Sequence, residues 1–563
     1  MANTRVTRIA CLALSVFLIF HVTVPAKADN TSGNVRKILT GWVPYYGTRA
    51  IPSTQVNQDL IAEVTPFWYQ LTDQRTIVNQ FGSNSVKVTQ DWKAAGIKVL
   101  PTITDGTGTD VLTGLLANPS ARADIITAIM KLISDGNYDG IDLDWENFSK
   151  ATWDATKPRW ISFIHELSQA LHASGKLLSV TTLYQLDPAT GLRGYYFYAW
   201  QDIAPDIDRL RVMTYDKNIS NPGPNGPIGW TTDVIKYAIS VMPASKVFVG
   251  APGYGRDWAV AVTGTCPADV AKTITKPAIV VMHDALSLAS TYGATSTYDA
   301  KNGESTFTYQ KTYNGLTATG SATQCTATRT VWYPDEKSYQ WHANLVSQYH
   351  LGGMAVWTFG MENEVAMSQV RTVAQNIAPD LITSSLTIDQ SSVNIGMPIT
   401  ITGRITKQDT TPVPGIPLTL QIKSAQGDWR DLQLGNSSND GTVSSSILLG
   451  GTTQLRLTSP SSWERLAGIS AVKNIAIMPL ISWSAPTSVR TGQSFQITGA
   501  IQPAMAGVTI QSSTGESATT TADGHFTITV KTTKPGILTL QLISLPTTSL
   551  AGGKTDAFSL LVR

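Results

Sequence analysis

The sequence predicts an α/β protein built as a (β/α)8 barrel with a small inserted subdomain, followed by two all-β modules. Three observations carry this. Eight short apolar runs with amphipathic stretches between several of them fill residues 37–360. The interval between the seventh and eighth runs, 258–340, is far longer than the others and holds Cys266 and Cys325. After about residue 383 the helical periodicity stops and an internal repeat begins.

The runs are ILTGWVPYY (38–46), VTPFWYQL (64–71), KVLPTIT (98–104), YDGIDLDWE (138–146), KLLSVTTL (176–183), DRLRVMTYD (208–216), KVFVGAPGYG (246–255) and GGMAVWTFG (352–360). Each has strand length, and parallel strands covered on both faces read as near-continuous apolar runs. Between them, WISFIHELSQALHASG (160–175) sets Ile161, Ile164, Leu167 and Leu171 on one helical face and stops at Gly175. His165 and His172, seven residues apart on this helix, are read as packing groups. Alternating strands and helices over this length predict a TIM barrel, with a doubly wound open sheet as the other architecture of that pattern.

The long interval predicts an inserted subdomain on the loop face. Its two cysteines are read as a disulfide, Cys266–Cys325, with two buried thiols as the alternative. In the tail, SVNIGMPITITGRI (392–405) matches SVRTGQSFQITGAI (488–501), and TTQLRLTSP (452–460) resembles ILTLQLISLP (537–546). The alternation and Gly-containing turns predict two immunoglobulin-like sandwiches, 384–478 and 479–563. Trp429, Trp463 and Trp483 are either sugar platforms or module cores.

Residues 1–28 combine Arg5 and Arg8, a largely apolar stretch from Ile9 to Val24 and the small-x-small site Ala26-Lys27-Ala28. This predicts a cleaved export signal, with an uncleaved anchor as the alternative. The barrel domain then spans 29–383. The net charge is +2, of which these 28 residues contribute +3, leaving −1 and no electrostatic reason to expect nucleic acid. No later stretch reaches the length of a membrane span. A secreted, extracellular monomer is expected, free or associated with a cell wall.

The stretch YDGIDLDWEN (138–147) sets Asp142, Asp144 and Glu146 at alternate positions, with Ile141, Leu143 and Trp145 between them. On a strand, alternate residues share a face, so three carboxylates point into the barrel while the apolar set packs under helices. Asp139 falls on the other face by this alternation and is read as structural. A charged outer strand face and a calcium loop are the alternatives. Parallel strands are covered on both sides, and the loop's required glycine and terminal Glu are missing. Crowded inward carboxylates resist ionisation, so a shared proton is expected. Glu146 sits at the carboxyl end of its strand, where barrel enzymes place catalytic groups, and suits proton donation to a leaving oxygen. No HExxH or clustered Cys/His occurs, so no catalytic metal and no cofactor are expected.

DGIDLDWE resembles the DGxDxDxE signature of glycoside hydrolase family 18, the chitinase family. MTYD (213–216) is similar to that family's MxYD strand, and GAPGYGRDW (250–258) to its G-[IVA]-P-x-YGR strand. Trp357 stands in the last strand where the family keeps a tryptophan. The likeness covers about 37–380. It implies a retaining hydrolysis in which the substrate's own N-acetyl group attacks the anomeric carbon, outside the usual two-carboxylate scheme. By that resemblance Glu146 is the acid and then the base. Asp144 orients the acetamido group, Asp142 trades a proton with Asp144, and Tyr215 bonds the acetamido carbonyl. Trp357 lies beneath the sugar, Met213 and Asp216 shape the pocket, and Tyr45, Tyr254 and Arg256 contact substrate. The implied substrate is a polymer or oligomer containing N-acetylglucosamine, chitin or chitooligosaccharides first.

Where many members carry SxGG on the third strand, this chain has PTITDGTG (101–108), read as a substrate-side loop. GWVPYYG (41–47) and PFWY (66–69) resemble the branch that trims spore-cortex peptidoglycan, whose usual LysM modules are not seen here. Peptidoglycan and N-glycan cleavage are therefore alternatives, as is a non-catalytic sugar-binding barrel. Tyr46, Trp68, Tyr69, Tyr184 and Trp258 are further candidates for the cleft, and GYYFYAW (194–200) is read as part cleft wall and part core.

Overall fold

A computed structural model describes residues 35–190 and 193–563. The expected export signal over 1–28 lies outside them. Eight strands pair in parallel: β1 (Leu39–Pro44), β2 (Glu63–Leu71), β3 (Thr102–Asp105), β4 (Gly140–Asp144), β5 (Leu177–Leu183), β6 (Arg209–Met213), β7 (Val247–Pro252) and β8 (Gly353–Trp357). Leu39 pairs with Met354 and Trp42 with Thr65, so β1 bonds both β8 and β2 and the sheet closes. The open-sheet alternative is thereby excluded.

Alternation on β4 decides what lies inside. Ile141, Leu143 and Trp145 are buried in the outer core against the helix Trp153–Ala173. Trp145 stacks on Phe163 with ring centroids 5.1 Å apart, and Trp160 meets it edge-on at 6.0 Å. Asp142 and Asp144 take the opposite parity and face the barrel interior. Their neighbours in register are Thr102 and Thr104 on one side and Ser179 and Thr181 on the other. Asp139 receives the Val99 amide at 2.9 Å and pairs with Lys93 at 3.2 Å, which ties the base of β4 to the preceding strand.

The helix Trp153–Ala173 ends two residues before Gly175, whose φ of +65° suits a residue without Cβ. His165 and His172 are not packing groups. They reach Asp206 and Asp208 at 3.0 and 2.9 Å and remain half-exposed, because the segment before β6 passes beside this helix.

Between β7 and β8 lies an antiparallel five-stranded sheet of Tyr254–Gly264, Ala278–Val281, Thr297–Asp299, Glu304–Leu316 and Ala322–Tyr333. It has its own core of Val280, Ala285, Phe307, Val331 and Tyr333. Its first strand leaves the mouth two residues after β7, so Tyr254 and Arg256 belong to this sheet. Cys266 and Cys325 form a disulfide beside the paired residues Gly264 and Cys325.

The tail forms two all-β modules with separate cores, one around Ile401, Leu420 and Leu457 and one around Ile497, Ile510 and Ile528. The sequence repeat is a repeat of structure. Strand Ile399–Lys407 pairs on both sides like Ser494–Gln502, and the short Ser392–Asn394 pairs in parallel with a terminal strand as Ser488–Val489 does. Met505 packs against both cores and Leu550 belongs to the first.

Trp463 is neither a module core nor a sugar platform. Its ring lies under the Arg36 guanidinium at 3.7 Å and stacks on His350 at 4.6 Å, and its carbonyl accepts from Arg36. Asp380 continues the joint through backbone bonds to Glu464 and Leu466. Arg36 and His350 immediately precede β1 and β8, so the first module seats on the end of the barrel where strands begin. Trp483 stacks on Phe558 within the second module, and Trp429 carries Arg456 at 4.1 Å.

Candidate active site

The carboxyl ends of the strands surround an open cleft of about 450 Å3 lined by Tyr45, Tyr46, Phe67, Gln70, Asp105, Asp144, Glu146 and Asn147. A larger cavity, about 670 Å3, lies among Ser53, His283, Glu362 and Arg371 and holds none of the predicted site residues.

Asp142 is completely buried and saturated. It accepts from Thr102 at 3.0 Å, Ser179 at 2.5 Å, Thr181 at 2.9 and 3.0 Å, and Arg211 at 3.0 Å. Arg211, equally buried, also pairs with Glu63 at 2.6 Å. Four donors, one of them a guanidinium, thus converge on Asp142 beneath the site.

Asp144, one step up the strand, is held well above the usual carboxylate range, first by burial and then by the charges of Glu146, Asp142 and Asp105. Its Oδ1 is buried without a protein partner, and so is the hydroxyl of Tyr215. Buried polar atoms are seldom left unpaired, so these two are open to a ligand. Glu146 opens on the cleft but is hemmed in by protein, and desolvation, then Asp105 and Asp216, push its pKa up to about 7. Its backbone is fixed from β3: Asp105 accepts the amides of Glu146 and Asn147 at 2.9 and 2.6 Å. Burial brings Asp105 itself up to about 6, against the lowering effect of those two bonds.

Met213, at the end of β6, and Tyr215 are buried beside the carboxylates, with the partly exposed Asp216 following. Asp216 has a left-handed φ of 56° and receives Arg256 at 2.6 Å. Tyr254 lies edge-on to Tyr215 at 6.3 Å. Trp357 closes the floor from β8, edge-on to Trp42 at 5.5 Å and Phe67 at 5.0 Å. Tyr45 is 42% exposed on the rim. The structure thus gathers Asp144, Glu146, Met213, Tyr215, Asp216, Tyr254, Arg256, Trp357 and Tyr45 around one mouth and sets Asp142 beneath it.

Trp68 and Tyr69 also line this cleft while packed in the core: Trp68 stacks on Phe81 at 4.3 Å, and Tyr69 bonds the Tyr138 hydroxyl at 2.6 Å. Trp258 is buried and braces the β6 loop through the Ile219 carbonyl at 2.8 Å. In GYYFYAW, Phe197, Tyr198 and Trp200 are core, whereas Tyr195 and Tyr196 line a cleft.

Sequence reading missed four residues that hold the site: Arg211, Asp105, Asn225 and Glu304. Asn225 accepts the Asp216 amide at 2.7 Å and donates to the Tyr254 carbonyl at 2.8 Å. Glu304, from the inserted sheet, accepts the amides of Asn225 and Gly226 at 2.8 and 2.6 Å. The insert therefore fixes the β6 loop as well as walling the mouth. Asn225→Ala is expected to lower kcat/KM about 10–100-fold while costing only about 1–3 kcal/mol of stability, because it frees Asp216 and Arg256 without opening the core. Steady-state kinetics beside a urea titration check this.

Residues 34–362 match the sequence profile described as Glycosyl hydrolases family 18. A protein of Bacillus subtilis named as a sporulation-specific glycosylase is 26% identical over 346 residues, 59% of this chain and 74% of its own length. Chitinase B of Serratia marcescens is 22% identical over 298 residues, 44% of this chain and 59% of its own. Among solved structures, the spore cortex-lytic enzyme of Bacillus cereus superposes with a TM-score of 0.50 at 19% identity, covering 60% of this chain and 74% of that one. That last likeness is one of fold.

Proposed function

The chain belongs to glycosyl hydrolases family 18, and from that premise we propose that it hydrolyses β-1,4 linkages next to N-acetylglucosamine with retention of configuration. The observation that carries this is the pair of unpartnered buried atoms, Asp144 Oδ1 and the Tyr215 hydroxyl, beside a glutamic acid whose pKa is raised to about 7. An acetamido group offers one donor and one acceptor. Its N–H is bonded by Asp144 and its carbonyl by Tyr215, over Trp357. The carbonyl oxygen attacks the anomeric carbon as Glu146 gives its proton to the leaving oxygen. Glu146 then takes a proton from the water that opens the cyclic intermediate.

Chitooligosaccharides are the first substrate to test. A soluble N-acetylglucosamine pentamer incubated with the protein should yield shorter oligomers of retained anomeric configuration, read by mass spectrometry and proton NMR. An intact pentamer would overturn that choice of substrate. The relatives named for sporulation and spore cortex favour peptidoglycan as the second reading.

The pH dependence follows from the acid. Glu146 must be protonated to act, and its raised pKa keeps it so below about 7. Activity should therefore fall on the alkaline side with an apparent pKa near 7, about two to three units above an ordinary glutamate. A kcat/KM profile that stays flat from pH 6 to about 9 would contradict this.

We read residues 1–28 as an export signal, so that the mature enzyme works outside the cell as a monomer. Pairing of Cys266 with Cys325 supports an oxidising compartment. The tail modules are read as immunoglobulin-like spacers, 384–478 and 479–563, on the strength of their matched strand pairings.

A further inference from the structure

The strand that presents the acid ends two residues short of it. The last paired position of β4 is Asp144, in register with Thr104 of β3 and Thr181 of β5. The peptide that leads from Trp145 to Glu146 lies past this register, and both of its polar groups are taken by side chains. Its N–H, on Glu146, donates to Asp105 at 2.9 Å. Its carbonyl, on Trp145, accepts the Tyr198 hydroxyl at 2.9 Å. Asp105 stands at the end of β3, and Tyr198 comes from the segment that follows β5, so one peptide is gripped from both flanks. The end of β5 reaches the same hydroxyl through the Leu183 backbone.

Tyr198 is itself held in place. It is completely buried in the 3-10 turn Tyr196–Tyr198, packed on Phe197 at 4.1 Å between ring centroids and edge-on to Trp160 at 5.9 Å. Its own carbonyl accepts the Trp160 indole N–H at 3.1 Å. Trp160 also meets Trp145, so one indole touches both the tyrosine and the strand end. The next residue, Ala199, has a left-handed φ of 52°, which a residue with a Cβ disfavours, so packing holds this turn against its own preference. Burial, then the charges of Glu146, Asp144 and Asp105, keep the phenol well above its ordinary pKa, and the hydroxyl stays a donor.

A buried tyrosine that bonds a carbonyl is most often a satisfied core residue. Here the carbonyl belongs to the peptide that carries the acid, and a second side chain bonds the other end of that peptide. Rotation of the peptide about its flanking bonds would swing the Glu146 side chain across the cleft.

We propose that Tyr198 is a positioning residue for catalysis. By holding the Trp145 carbonyl while Asp105 holds the adjacent amide, it fixes the plane of the peptide from which Glu146 projects, and so the line of proton delivery. This rests on the glycosidase reading above and adds to it a residue from outside the cleft.

Such a role has a chemical signature. When a sugar departs, the anomeric C–O bond breaks as the acetamido oxygen bonds the anomeric carbon, and the proton of Glu146 moves to the departing oxygen. A nitrophenolate carries the electron pair of that bond away as a stable anion and needs no proton. A displaced acid therefore slows the first reaction and spares the second.

The experiment measures kcat/KM, which reports no step after the leaving group departs, on the N-acetylglucosamine pentamer and on the 4-nitrophenyl glycoside of the dimer. Tyr198→Phe should lower the value for the pentamer about 10–100-fold, the scale of an acid displaced by up to about 1 Å. The value for the nitrophenyl glycoside should stay within about threefold, since its departure needs no acid. Thr54→Val, which removes a buried bond from the Trp92 indole at 2.9 Å elsewhere in the barrel, supplies a destabilised control and should leave the ratio of the two values unchanged. Urea midpoints for both variants confirm that each is folded in the assay. Equal losses on both substrates, or no loss on either, overturn the role of Tyr198 and leave the glycosidase reading intact. Failure of the unsubstituted protein to cleave either substrate overturns that reading, and the proposal with it.

Discussion

Glu146→Gln should lower turnover of any cleaved glycan by at least about 10²–10⁴-fold, the range that one positioned acid supplies. The amide has the shape of the acid and no proton to give. The residue's backbone is held by Asp105 through two amide bonds that do not involve the replaced side chain, so the strand end stays in place. Binding should persist, because Asp144, Tyr215 and Trp357 are untouched. Single-turnover kinetics beside calorimetric binding check both halves. Loss of binding together with turnover, or activity within tenfold of the unsubstituted protein, would remove Glu146 from the role of acid.

Arg211→Leu should cost about 3–5 kcal/mol of stability, the largest effect expected of any single substitution outside the acid, because it leaves charge buried without its partner. Arg211 lies between Asp142 at 3.0 Å and Glu63 at 2.6 Å, all three within the barrel. Without the cation both carboxyls resist ionisation in the folded state. The sign follows. A carboxyl whose pKa is higher folded than unfolded binds more protons in the native state, so its contribution is lost as pH rises through those values. Asp144, Glu146 and Glu304 already give the unsubstituted protein some of that slope. The variant should therefore lose more stability than the unsubstituted protein between pH 5 and pH 8. Urea midpoints at the two pH values decide it, and an equal change in both proteins would show that Arg211 does not neutralise this pair.

Much of the barrel could be read from the chain because local alternation is enough to locate parallel strands and to put Asp142, Asp144 and Glu146 on one face. The ordered partners MTYD and GAPGYGR then brought Tyr215, Asp216 and Arg256 to the same mouth. What escaped was the set of residues whose meaning depends on distant partners. Arg211 shares the inward parity of Met213, and a cation at an inward position was a usable signal. Its partner Glu63, however, lies 148 residues away, and nothing local couples the two. Glu304 was hidden for the same reason, since its partners Asn225 and Gly226 lie on the β6 loop. Trp463 escaped because a tryptophan in a β module has two familiar uses, and clamping a neighbouring domain is a third. Alternation showed that the carboxylates crowd together, but not that Thr102, Ser179, Thr181 and Arg211 converge on Asp142.

The Trp463 clamp also fixes which side of the barrel the tail occupies. It anchors the tail to the back of the barrel, where strands enter, while the cleft crosses the front. The first module therefore lies on the side of the barrel away from the cleft. On that geometry a protein ending near residue 383 should give the same products from soluble chains, and any loss should show only on solid substrate.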